Sequence, residues 1–130
     1  MTEKLAPDLD AALVLGMAST AIPFAQSREA QAERWLRILR LQGEAGATLQ
    51  ALGVSEAPLE THAENHEAPV PEDDVVARVG DLAAVHAARR SAECFETTDV
   101  LTAVIEIYGA DFEVVLRAHG TDRDEVLARI

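Results

Sequence analysis

Lysine is nearly missing from this sequence: Lys4 is the only one, and arginine supplies the rest of the 11 basic residues. A phosphate-binding P-loop needs a Gly-Lys pair at a helix start, and no such pair occurs, so the chain carries no P-loop ATPase site. Positive charge is scarce altogether. Against 23 acids the formal net charge is −12, a surface that repels phosphate backbones and excludes nucleic acid as an expected partner. Cys94 stands alone, so no internal disulfide is possible, which suits a reducing cytoplasm. No window approaches the roughly 18 apolar residues that a membrane span requires. The opening "MTEKLAPDLDAALVLGM" has acids where a signal peptide is basic, and Asp8 and Asp10 interrupt its apolar stretch, so a cytoplasmic location is expected. Aromatics are few as well, with one Trp, one Tyr and three Phe.

What is present is alanine, leucine and valine in helical rhythm. Apolar residues make up 48% of the chain, enough for a sizeable core without disulfide or metal. Apolar period, Gly, Pro and capping residues predict about eight short helices and no strand. The first opens at Pro7 and runs to about Thr20, with Leu9, Leu13 and Met17 on one face. Ser27 caps a second that carries Trp35, Leu36, Ile38 and Leu39. A third holds Leu49 and Leu52 and stops at Gly53, and Ser55 caps a fourth running to about Glu64. After the acidic, proline-containing stretch "HEAPVPEDD" the pattern restarts. Pro71 opens a helix with Glu72, Asp73 and Asp74 in its first turn and an inward face of Val75, Val79, Leu82 and His86. Thr97 or Thr98 caps the next, with Val100, Leu101, Val104 and Ile105. Phe112, Val115, Leu116 and His119 form a stripe ending at Gly120, and Asp122 caps the last helix, with Val126, Leu127 and Ile130.

One phrase occurs twice. "LQALGVS" at 49–55 and "LRAHGTD" at 116–122 share Leu, Ala, Gly and a capping residue, 67 positions apart. "PDLDAALVLG" and "PEDDVVARVG" correspond at a shift of 64, and Trp35-Leu36 and Val100-Leu101 at 65. A slowly growing shift is what small insertions leave between two copies of one unit. The expected fold is therefore all-α: two tandem four-helix repeats sharing one core about a pseudo-twofold axis. Repeat one spans about 7–64, a linker about 65–70, and repeat two about 71–130, in a single domain.

In "ERWLRILRLQGEAGATLQALGVSEAPLE" and "FETTDVLTAVIEIYGADFEVVLRAHGTDRDEVLARI" this layout resembles the Clp N-terminal repeat domain, over nearly the whole chain from Leu9 to Ile130. That resemblance implies a non-catalytic recognition module that docks substrates, adaptor proteins or, in some members, phosphorylated arginine for a Clp-type unfoldase. It places the chain in protein quality control beside chaperone ATPases, as a separated N-domain or a free-standing relative acting as adaptor, partner or decoy. By family position the docking groove lies near Pro7, Glu33, Pro71 and Thr98, with Asp99 beside it. The family's Thr-Glu-His helix start reads Thr97-Thr98-Asp99 here, so one of the two acids that would hold a guanidinium is a neutral hydroxyl. In the first copy the matching position is Glu33 if the following turn is two residues short, or Gln31 if it is not.

Other constellations read as structure. His62 and His66 stand at i, i+4 beside Glu60 and Glu64, too few ligands for a metal site, and are taken as a solvated face. His86 and His119 read as partly buried helix residues, Cys94 as a small buried thiol and Trp35 as core. No G-x-S-x-G turn is present, and Cys94 lacks the flanking signature of a nucleophile, so no enzyme, cofactor or metal is expected. Arg34, Arg37 and Arg40, with Arg28, form a basic stripe suited either to pairing with Glu29 and Glu33 or to an acidic partner segment. The alternative from another class is a helical small-molecule sensor, its pocket lying between the two copies.

Overall fold

The computed structural model describes residues 5–25, 27–54 and 74–130. Among these the protein is all-helical, with seven α-helices and one 310 turn. The helices are α1 (Leu9–Ala21), α2 (Arg28–Leu39), α3 (Gly43–Ala51), α4 (Val75–Arg89), α5 (Thr97–Tyr108), α6 (Ala110–Ala118) and α7 (Arg123–Arg129), and the 310 turn is Ile22–Phe24. No helix among them is long and apolar enough to cross a membrane. The expected helix at 55–64, the linker, His62, His66 and Pro71 lie outside the described residues.

Local chemistry sets the boundaries. Ser27 accepts from the Ala30 N–H (3.0 Å) and Asp122 from the Glu125 N–H (2.8 Å), as the capping pattern anticipates. Three starts differ from the sequence reading. α1 opens at Leu9 rather than at Pro7, because Asp8 caps it through the Ala11 N–H. Asp74 caps α4, so this helix opens at Val75 and Asp74 lies just outside its first turn. Glu96 rather than Thr97 or Thr98 precedes α5, because Asp99 reaches back to the Glu96 N–H at 2.8 Å and closes a capping box.

The twice-written phrase folds twice into one terminator. Gly53 and Gly120 take φ +93° and +92°, where a Cβ is disfavoured. The Val54 N–H returns to the Leu49 carbonyl at 3.0 Å, and the Thr121 N–H to the Leu116 carbonyl at 3.1 Å. These bonds absorb carbonyls that a helix end otherwise leaves unpaired.

One core threads both halves, with Trp35, Leu36, Leu39, Leu49, Leu101, Tyr108, Phe112 and Leu116 at its centre. α2 packs on α6 and α3 on α5, while α1 meets α4 and α2 meets α5. Two faces are rotated from expectation. α4 buries Val76, Val79, Ala83, Ala84 and Ala87, leaving Val75, Leu82 and His86 at the flanks. α1 buries Ala11, Val14 and Ala18, and its Leu9, Leu13 and Met17 point outward. The cause is the same in both helices: alanines let the helices approach closely, and the larger side chains move to the margins.

Candidate functional site

The starts of α1, α3 and α5 converge at one end of the molecule. Ala6 to Asp8 run beside Phe95 as a short parallel bridge at Pro7. In it the Asp8 N–H donates to the Phe95 carbonyl (2.9 Å) and the Phe95 N–H to the Ala6 carbonyl (3.0 Å). Proline has no N–H, and the bridge needs none from it: Asp8 donates on one side of Pro7 and Ala6 accepts on the other, while Pro7 itself stays exposed. Thr97 Oγ1 accepts from the Ala45 N–H (3.1 Å), satisfying a donor in the first turn of α3. Gly43 fits beneath this hydroxyl at φ +61°. A Cβ there would lie 2.6 Å from Thr97 Oγ1 and 3.4 Å from the Asp10 Cβ. Thr98 is half-buried next to Thr97. Pro7, Thr98 and Asp99, three of the expected docking positions, are thereby gathered around the start of α5.

Asp99 itself is committed to the fold. Besides the Glu96 N–H it holds the Arg90 guanidinium through both oxygens, at 3.1 and 2.5 Å, and Arg90 also reaches Glu96 at 2.9 Å. The hydrogen bond to Asp99, more than any other influence, lifts the Arg90 guanidinium above its ordinary range. A bidentate fork onto a buried carboxylate locks the turn that leads into α5.

The α2 positions are used in a different way. Glu33 is buried: both of its oxygens lie 3.3 Å from His119 Nε2, and its Oε1 also lies 3.3 Å from Arg37 Nε. The side chains of Glu33 and His119 are only 5% and 2% exposed, so this acid is closed to an outside guanidinium. Arg34 donates to the Ala21 carbonyl (2.6 Å) at the end of α1, and Arg40 to the Val54 carbonyl (2.8 Å) beyond α3. Arg28 bonds Asp111 (3.0 Å) and the Ile107 carbonyl (2.7 Å), and lies 5.0 Å above the Tyr108 ring. Arg28, Arg34 and Arg40 thus close the C-terminal ends of neighbouring helices, where cations meet the negative end of the helix dipole, while Arg37 pairs with Glu33 on its own helix. Glu33, Arg34 and Arg37 belong to the contacts of α2 with α6 and α1.

Between the halves, Trp35 Nε1 donates to the Tyr108 hydroxyl (3.1 Å), which donates to Gln31 Oε1 (2.7 Å). Burial raises the Tyr108 hydroxyl above its ordinary value of 10.0. His86 Nε2 lies 3.1 Å from Glu106 Oε1 but off hydrogen-bond geometry, so it is a buried polar atom without a hydrogen bond. Cys94 is half-buried and free.

Sequence reasoning missed one surface. Leu9, Leu13 and Met17 are 76%, 46% and 38% exposed along the outer face of α1, and Phe24 on the following turn is 70% exposed. Its signal was legible: from Ala11 to Ser27 there is no charged residue in a chain that is 26% charged. No family model matches the chain, and neither a curated protein nor a solved structure shows significant similarity to it.

Proposed function

We propose that this chain is a non-catalytic recognition module made of two copies of one helical unit, related by a pseudo-twofold axis. It docks protein or peptide segments of unfoldase substrates or adaptors at the lip formed by Pro7, Thr98 and the start of α5. The observation that carries this reading is a recurring ladder of buried positions. Ala11, Val14, Ala18 and Ile22 are buried, and so are Val76, Val79, Ala83 and Ala87, each 65 residues on. Ala32, Trp35, Leu36, Ile38 and Leu39 are answered at the same offset by Thr97, Val100, Leu101, Ala103 and Val104. Ala45, Leu49 and Val54 are answered by Phe112, Leu116 and Thr121 at an offset of 67. The packing is reciprocal too, since α2 meets α6 as α3 meets α5.

This register moves the first helices from the 64-residue shift read in the sequence to 65, and it aligns Glu33 with Thr98. The resemblance to the Clp N-terminal repeat domain supplies the function that such a pair performs. Phosphoarginine is not the proposed ligand, because Thr98 carries no charge and Glu33 is held by His119 and Arg37. A pull-down with the purified chain from its own cell lysate, read by mass spectrometry, tests the reading. Recovery of a Clp-type unfoldase, its adaptors or its clients, lost on Thr98→Arg, is the expected result. A blank with the helical fold intact, or capture unaffected by Thr98→Arg, would contradict it.

A further inference from the structure

We infer that the outer face of α1 is a self-recognition surface, on which a second copy of this chain packs its own α1 in antiparallel orientation. At 100° per residue, Leu9, Leu13, Gly16 and Thr20 share one stripe, with Met17 and Ala12 at its two sides. Their spacing is four, three and four, the step of a helix–helix seam. The spacing reads the same in both directions, and the residue sizes alternate in a complementary way. About a twofold axis midway between residues 14 and 15, Leu13 faces Gly16 of the second copy, Leu9 faces its Thr20, and Met17 faces its Ala12. Every large side chain meets a small one, as an isologous interface requires.

The polar groups agree with this. Ser19 Oγ is turned back to the Leu15 carbonyl (2.9 Å) and Thr20 Oγ1 to the Met17 carbonyl (2.9 Å), so neither hydroxyl needs water once covered. A Cβ on Gly16 would meet nothing within 4 Å in its own chain, so the gap there is open to an incoming side chain. Charge complements charge at the ends. The same axis brings Asp8 opposite Ala21 of the second copy, the residue whose carbonyl carries the Arg34 guanidinium. Between those ends the seam residues carry no charge, and Asp10, flanking the seam beside Met17, falls opposite Ser19 of the second copy, which lets two copies of a chain with net charge −12 meet without facing acids. One 13-residue helix is about 20 Å long, so the interface is at the small end of the range and a micromolar dissociation constant is expected.

Sedimentation velocity over a concentration series is the test, with Gly16→Asp as the variant. The solvent-facing position leaves the monomer fold intact, checked by circular dichroism, while an acid enters the space meant for Leu13. The wild type should shift from monomer to dimer over the micromolar range, and Gly16→Asp should weaken association at least tenfold. Register is read by cysteine pairing in a Cys94→Ser background. A mixture of Leu13→Cys and Gly16→Cys chains should oxidise to the mixed 13–16 disulfide in preference to either homodimer. A wild type that stays monomeric into the hundreds of micromolar, a dimer indifferent to Gly16→Asp, or preferential 13–13 and 16–16 cross-links would each overturn the proposal.

Discussion

α1 and α4 bury the same ladder and present opposite surfaces. Inside, both approach their neighbours on small residues at matching steps: Ala11, Val14 and Ala18 in one, Val76, Val79 and Ala83 in the other. Outside, the positions that hold Leu9, Leu13 and Gly16 in α1 are taken by the cap Asp74 and by Arg78 and Asp81 of α4. The core therefore does not require an uncharged outer face, because α4 satisfies the same inner contacts with charges pointing outward. Burial constrains one side of a helix, and the other side is free to record what the molecule meets. This contrast between α1 and α4 is what the proposed α1 self-recognition surface rests on.

The comparison can be broken from inside first. Leu36 and Leu101 occupy matching buried positions, so Leu36→Ala and Leu101→Ala should each cost about 2–5 kcal/mol in chemical denaturation. One of them costing under about 1 kcal/mol would show that the matching positions are not equivalent in energy. Tyr108→Phe joins the halves' accounts at a single oxygen. It leaves Trp35 Nε1 and Gln31 Oε1 without their partner and should lower stability by about 1–3 kcal/mol.

The same hydroxyl gives a pH test. Its folded-state value lies above the ordinary 10.0, so the folded state keeps the proton more tightly than the unfolded chain does. The stability this contributes is fully present below about pH 10 and is lost as pH rises through the folded value. Tyr108 is the only tyrosine, so ultraviolet titration should show one late phenolate transition, and Tyr108→Phe should flatten the alkaline fall in melting temperature. Gly53→Ala and Gly120→Ala sharpen the comparison at the helix ends. Both glycines have open space but positive φ, so each change should cost about 1–2 kcal/mol, by nearly equal amounts. Smallest of all is Gly16→Asp, which gives α1 the charge that α4 carries at the matching position, Asp81. Its effect on monomer stability should stay within about 0.5 kcal/mol in thermal unfolding under dilute conditions.

Much of the fold was legible because helix ends announce themselves locally. Ser27, Gly53, Gly120 and Asp122 act as read, each through bonds that span three to five positions. Helix faces were harder to read. In a chain rich in alanine, the leucines of α1 outweigh Ala11 and Ala18 in any reading by hydrophobicity, yet it is the face of Ala11, Val14 and Ala18 that the neighbouring helices of the chain pack against. The start of α5 was misplaced because two threonines imitate a cap, whereas Asp99 and Arg90 fix the cap at Glu96. The site was legible only in part. Pro7 is tied to Phe95, three residues before Thr98, while the pairing of Glu33 with His119 joins residues 86 positions apart and left no local trace. The basic stripe was legible in part: Arg37 pairs with Glu33 as its spacing suggests, whereas Arg28, Arg34 and Arg40 bond carbonyls outside their own helix, which spacing along one helix does not report.

Residues before and after the 55–73 stretch build one core together, with α2 on α6 and α3 on α5. Separate expression of residues 1–64 and 65–130 tests this most directly, followed by circular dichroism and tryptophan fluorescence of each piece and of an equimolar mixture. Neither piece alone should show a cooperative transition, since Trp35 loses Tyr108, α2 loses α6 and α5 loses α3. Mixing should restore both the helical signal and the buried-tryptophan emission. If residues 65–130 unfold cooperatively alone, with a stability near that of the whole chain, the shared core is contradicted.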